Sequence, residues 1–168
     1  MSSRLRVSRL ALVLALAGCN YTFSGGGGLP SHVHTMFVPP VENQTTRFTL
    51  TEQLTQGLLD AARGRLGVQL ASEGDADSVI RATITGYADR ALNFEAREDV
   101  GADVFQRRIT IRARVEIIDL QRNEVIWNAP SVTGVGEYDP ETETEDEGQQ
   151  LALENLIQKI VDGAQSQW

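Results

Sequence analysis

The chain of 168 residues carries one cysteine, Cys19, and one lysine, Lys159. A single thiol cannot form an intramolecular disulfide, so the core must hold without covalent staples. The two histidines, His32 and His34, stand two apart and would face the same way on a strand. No cysteine or carboxylate set with ligand spacing accompanies them, and no metal is expected. Catalytic motifs are missing too: there is no Gly-x-Ser-x-Gly elbow and no Ser-x-x-Lys pair. Asp75 and Asp77 read as a turn and a strand lead-in, and the acids from Glu141 to Glu147 lack the spacing of an EF-hand. These absences predict a protein that is not an enzyme and uses no cofactor. Positive charge is also scarce. A formal net charge of -8 makes nucleic acid a poor partner.

Long apolar runs are absent as well. The only one near the N-terminus spans Leu10 to Leu16, far short of the roughly 20 residues that cross a bilayer. It follows Arg4, Arg6 and Arg9 and ends in Leu16-Ala17-Gly18-Cys19. A basic start, a short apolar stretch and a small-residue cleavage site predict a secretory signal peptide over residues 1–18. The cysteine directly after Leu-Ala-Gly looks like a bacterial lipobox, which makes Cys19 the expected site of lipidation. Acylation would also remove the problem of a lone thiol in an oxidising compartment. Two or more acyl chains make a stable anchor where one is marginal.

Cleavage leaves 150 residues, one domain's worth, with the net charge moved to -11 by the loss of three arginines. A chain of that size buries enough surface for a genuine core. Residues 19–31 read as a lipidated start and a tether, in which Gly25 to Gly28 have no side chains to pack. Residues 32–168 read as one domain.

His34 to Val41 is an apolar run ended by Pro39-Pro40, as in a strand that cannot continue. Thr49 and Glu52 match a capping box. Leu50, Leu54, Leu58, Ala61 and Leu66 then form one helical stripe that Gly67 stops. From Ser78 to Arg90 the chain alternates, with Ile80, Ala82, Ile84 and Gly86 on one face and Arg81, Thr83, Thr85 and Tyr87 on the other. From about Phe105 to Leu120 it alternates again: Ile109, Ile111, Ala113, Val115 and Ile117 oppose Arg108, Thr110, Arg112, Arg114 and Glu116. Such patterning marks a sheet with one buried and one wet face. Glu124 to Ala129, with Val125 and the core candidate Trp127, forms another strand that Pro130 interrupts and Val132 to Tyr138 resumes. Asp139 to Glu147 reads as a solvated loop or a frayed helix start. Gly148 to Gln165 forms a second helix with Leu153, Leu156, Ile157, Ile160, Val161 and Ala164 on one side.

The order strand, helix, three strands, helix has one economical solution. It is an α+β two-layer sandwich with both helices on one face of a four-stranded mixed sheet. The first strand and helix would form a crossover to a parallel neighbour. The other sheet face is left open, lined by arginine and threonine.

Cys19-Asn20-Tyr21-Thr22-Phe23-Ser24-Gly25, then Leu29-Pro30, then Val38-Pro39 with Asn43 and Thr45, resembles the opening of the LPS-assembly lipoprotein family, LptE. The Leu50 to Leu58 helix, Ala76-Asp77, the arginine-rich strand and the Trp127 strand fit as well. The resemblance departs at Asn20, where a glycine is usual, and at Val41, where an aromatic is common. It implies an outer-membrane lipoprotein, held by its lipid anchor and facing the periplasm or a barrel lumen. Such a protein plugs and helps assemble the LptD β-barrel and binds lipopolysaccharide during its delivery to the outer leaflet. On this reading Arg81, Arg97, Arg108, Arg112 and Arg114 meet lipid A phosphates or an acidic barrel interior, because Arg–phosphate contacts are charge-assisted and bidentate. The alternative is a lipoprotein adaptor of another envelope machine, a peptidoglycan synthase activator or a curli-type secretion component. Val38 to Thr45 resembles their strand-turn-helix entry too.

Overall fold

The structure is a computed structural model that describes residues 28–92 and 106–166. Cys19, Arg97, the signal peptide, most of the glycine run and Trp168 lie outside those residues. The described elements are β1 (Thr35–Phe37), β2 (Glu42–Asn43), α1 (Thr49–Gly64), β3 (Gln69–Leu70), β4 (Ser78–Leu92), β5 (Gln106–Asp119), β6 (Glu124–Tyr138) and α2 (Glu145–Gln165). The strands form one mixed sheet in the order β3-β1-β4-β5-β6, with β2 also beside β4. The predicted class is correct, and the sheet holds six strands where four were expected. The first expected strand, His34 to Val41, is cut short to β1 before Pro39-Pro40, and a second short strand, β2, forms just beyond it where a turn was expected; both pair with β4 in parallel. After α1 the chain returns as β3, parallel to β1.

Both helices lie on one side of the sheet. Leu50, Leu54 and Leu58 of α1 and Ala152, Leu156 and Ile160 of α2 join Met36, Ile84, Ile109, Ile111, Val115 and Ile117 in one core. The helices run in the same direction. Gln149 Nε2 donates to Gln53 near their starts (2.9 Å), and Gln165 Nε2 donates to the Arg65 carbonyl near their ends (2.9 Å).

Three local expectations are revised. First, Thr49 is the first helical residue of α1 and not its cap; the cap position is Phe48, which makes no side-chain capping bond. The preceding loop sets the entry instead: Asn43 accepts from Thr45 N and donates to the Arg47 carbonyl. Second, α2 starts three residues earlier than expected, on a reciprocal capping box between Thr144 and Glu147. Third, β6 is continuous through Pro130. Pro130 and Ser131 form a bulge opposite Arg114, on the edge strand, where a missing N–H costs no ladder bond.

Close backbone approach seats α2. A Cβ on Gly134 would stand 2.1 Å from the Ala152 carbonyl oxygen, and one on Gly136 would stand 2.1 Å from that of Gly148. Two glycines two apart on the inner face of β6 thus let a helix lie backbone against strand. Side chains of α2 also guard the β6 edge, with Lys159 Nζ donating to the Thr133 carbonyl (2.7 Å) and Asn155 accepting from Val135 N (3.1 Å).

Candidate ligand-binding face

The open face comes from strict alternation on β5, where Arg108, Thr110, Arg112, Arg114 and Glu116 point away from the helices. On β4 the alternation breaks. A bulge between Ile84 and Gly86 inserts Thr85, so Gly86 stands opposite Arg112 and Tyr87 opposite the core residue Ile111. The predicted phase beyond Ile84 is therefore reversed. Gly86, Ala88 and Arg90 lie on the open face, and Tyr87 turns inward. There Tyr87 Oη donates to Glu145 (2.7 Å), and the Arg47 guanidinium lies 4.8 Å over its ring while also pairing with Glu145. Burial, with Glu145 beside it, pushes the Tyr87 hydroxyl pKa up.

Arg81, Arg108, Arg112 and Arg114 do share the open face, but in two separate grooves. The first groove, of about 300 Å³, is lined by Pro39, Pro40, Glu42, Arg81, Thr83, Arg114 and Glu116. Arg81 stands directly opposite Glu116, and the two bases are matched by two acids. The second groove, of about 460 Å³, is lined by Ala88, Arg90, Ala91, Leu92, Arg108, Thr110 and Arg112. No acid lines it. Glu137, on β6, accepts two bonds from Arg108 on one oxygen, 2.8 Å from Nε and 2.5 Å from Nη2. Both side chains are more than 40% exposed, so the pair is weak.

Arg90 is the residue that sequence reasoning missed. Read without the bulge, it falls on the buried face. The bulge carries it to the open face, directly across from Arg108.

On the inner face the same strands carry a closed polar cluster. Arg107 holds Asp89 through Nε (3.1 Å to each carboxylate oxygen) and Nη2 (2.9 Å), and Tyr138 Oη donates to Asp89 (3.1 Å). The Asp89 contact raises the Arg107 pKa, while burial and then Asp89 raise that of Tyr138. These groups satisfy one another and hold strand ends together.

At the opposite end of the sheet, Asp77 accepts from His34 N and Thr35 N, both at 2.9 Å, and from Gln121 Nε2. Those bonds, led by the His34 amide, hold its pKa down at about 2. Burial works to raise the pKa of Asp119, but bonds from His32 and the Arg122 and Gln121 amides outweigh it and leave the group below its ordinary value. Asp77 is thus a lead-in that fastens β1, as its position before a strand predicts. His32 is spent on Asp119, and among the described residues no group of His, Cys, Asp or Glu is arranged to hold a metal.

The class these features define is a small α+β two-layer domain, two parallel helices backing a sheet whose outer face presents arginines. Residues 33–166 match the family model for lipopolysaccharide assembly, and the chain belongs to that family, LptE. The family is a non-enzymatic lipoprotein component of lipopolysaccharide transport. No curated protein matches the chain. Among solved structures it is similar to the PelC dodecamer from Paraburkholderia phytofirmans, at 16% identity and TM-score 0.52 over 83% of this chain and 95% of that one. It is also similar to a putative neuraminyllactose-binding hemagglutinin homolog from Helicobacter pylori, at 12% identity and TM-score 0.52 over 81% and 85%. The hypothetical protein CT253 from Chlamydia trachomatis matches at 12% identity and TM-score 0.51 over 79% and 98%. At these identities the likeness is one of fold.

Proposed function

We propose that the protein is an outer-membrane lipoprotein, anchored through Cys19, that plugs and helps assemble an LptD-like β-barrel and binds lipopolysaccharide during its delivery to the outer leaflet. Family membership supports the pathway. The observation that carries the binding role is the open sheet face, where arginines outnumber the acids that meet them. Lipopolysaccharide offers what such a face recognises: phosphates that accept paired guanidinium donors. The membrane partner is the barrel, reached from a lipid anchor at the first mature residue. No helix among the described residues is long and apolar enough to cross a membrane. Arg81, Arg97 and Arg114 remain proposed contacts for the barrel or the lipid, with Arg108 and Arg112 the primary ones.

Charge reversal of Arg108 and Arg112 together (R108E/R112E) is expected to abolish capture of lipopolysaccharide by the purified protein while the far-UV spectrum stays native. Unchanged capture would reject the binding role. Recovery of the acylated protein from outer membranes with its barrel tests the remainder. The competing reading, an adaptor of another envelope machine, gains its one specific support from the fold shared with a dodecamer. It predicts a ring of copies or a synthase in the same purification.

A further inference from the structure

We propose that Arg90, Arg108 and Arg112, grouped around Thr110, form a seat for one phosphate group, and that filling it fastens the outer end of the β4–β5 hairpin. Arg90 and Arg108 are cross-strand partners on one face, an arrangement in which like charges repel. Arg108 leans to Glu137 on β6, which leaves Arg90 and Arg112 without an acid among the described residues. Between them the floor is bare. Ala88 faces Thr110, and Arg112 lies across Gly86, where an added Cβ would stand 3.5 Å from its Nε. A carboxylate brings a single charge to this spot, and Glu137 already supplies one. A phosphate brings about -1.5 to -2 and three acceptor oxygens, enough to bridge guanidinium groups that otherwise push the strands apart.

The placement gives the seat a mechanical effect. Beyond Ile84, no described strand borders β4 on the side of β1 and β2. Among the described residues this stretch of β4 is held on one side only, by β5, and the opposed arginines sit two pairs from the last described pair of that ladder. The first groove, with its bases matched by Glu42 and Glu116, has neither the excess charge nor the repulsion. The inference narrows the phosphate site to one groove: Arg90 joins Arg108 and Arg112 there, and Arg81 and Arg114 stand outside it. It rests on the lipopolysaccharide reading only for the source of the phosphate, which is either free or carried on a lipid headgroup.

The test is thermal unfolding and hydrogen exchange of the purified full chain at low salt, with chloride, with inorganic phosphate at equal ionic strength, or with lipopolysaccharide. Phosphate is expected to raise the wild-type Tm and to slow exchange at residues 86–92 and 106–112. Arg90→Gln is expected to lose both responses. Without anion it should unfold at or about 1–3 °C above wild type, because a repulsion has gone. Arg81→Gln should respond as wild type does. An R90Q chain that keeps the phosphate response overturns the proposal, and so does a wild type that shows none. A response to phosphate in a chain that fails to capture lipopolysaccharide leaves the seat standing and removes the lipid reading instead.

Discussion

At the base of the sheet the carboxylates take most of their bonds from backbone amides, whereas along the arm of β4, β5 and β6 Asp89, Glu145 and Glu137 are met by other side chains. Asp77 and Asp119 take bonds from His34 N, Thr35 N, Gln121 N and Arg122 N, donors that neither titrate nor swing, and each adds one side-chain partner, Gln121 for Asp77 and His32 for Asp119. On the arm, Asp89 meets Arg107 and Tyr138, Glu145 meets Arg47 and Tyr87, and Glu137 meets Arg108. The base also has β1 and β2 beside it, and among the described residues no strand takes their place beside the arm. One end of the fold is fixed by main-chain geometry and the other by charges that a ligand can rearrange. The inner face of the arm supplies what the outer face lacks. There α2 lies against Gly134 and Gly136, so the arm is clamped from behind while its open-face arginines point away from the helix.

The strongest way to break this comparison is to remove the clamp. In Gly136→Val the new side chain must share space with the Gly148 carbonyl and the Ala152 amide, backbone atoms that cannot step aside as a flexible side-chain end would. Overpacking of this kind is expected to cost about 3 kcal/mol, a fall in Tm of about 6–12 °C for a domain of this size. Hydrogen exchange should quicken in the arm before it does at the base. Uniform quickening would show that base and arm are one cooperative unit.

A milder change sharpens the same point. Thr144 starts α2 above the arm by accepting from Glu147 N while Glu147 caps the Thr144 amide (2.7 Å). Those Thr144 contacts also hold the Glu147 pKa below its ordinary value. Thr144→Ala is expected to cost about 1 kcal/mol, read as a shift in the urea midpoint without a change in slope.

Much of the layout was legible because periodicity reports burial. The stripe Leu50, Leu54, Leu58 and Ala61 is buried as its spacing predicts, and Ile109 to Ile117 alternate without a fault. What escaped were features decided by neighbours. Thr85 has no local mark of a bulge, and the phase flip it causes hid Arg90 and misplaced Tyr87. Thr49-Leu50-Thr51-Glu52 carries the letters of a capping box without forming one, since Asn43 already fixes the loop that enters the helix. Thr144-Glu145-Asp146-Glu147 carries the same signal and does form one. Its acidity fits a solvated loop and a helix start equally, because acids in a first turn suit the helix dipole. Two-residue strands such as β2 and β3 owe their existence to the strand beside them and leave no pattern of their own.

The smallest effect at neutral pH, and the one that isolates the base, is expected from Asp77→Asn, because an amide oxygen still accepts from part of the His34, Thr35 and Gln121 set. Its signature is in acid. The folded Asp77 has a pKa of about 2 against an ordinary 3.8, so its carboxylate stabilises the fold fully above 3.8. That contribution is lost as the pH falls towards 2, where the group protonates in both states. The asparagine variant has no such group to titrate. The gap in stability between wild type and D77N should therefore be constant above about pH 5 and close progressively between 3.8 and about 2. A gap that stays open at pH 2 would mean that Asp77 acts by packing alone. In that case the fastening of β1 would not depend on its charge, and the contrast drawn between amide-bound and side-chain-bound carboxylates would lose its clearest example.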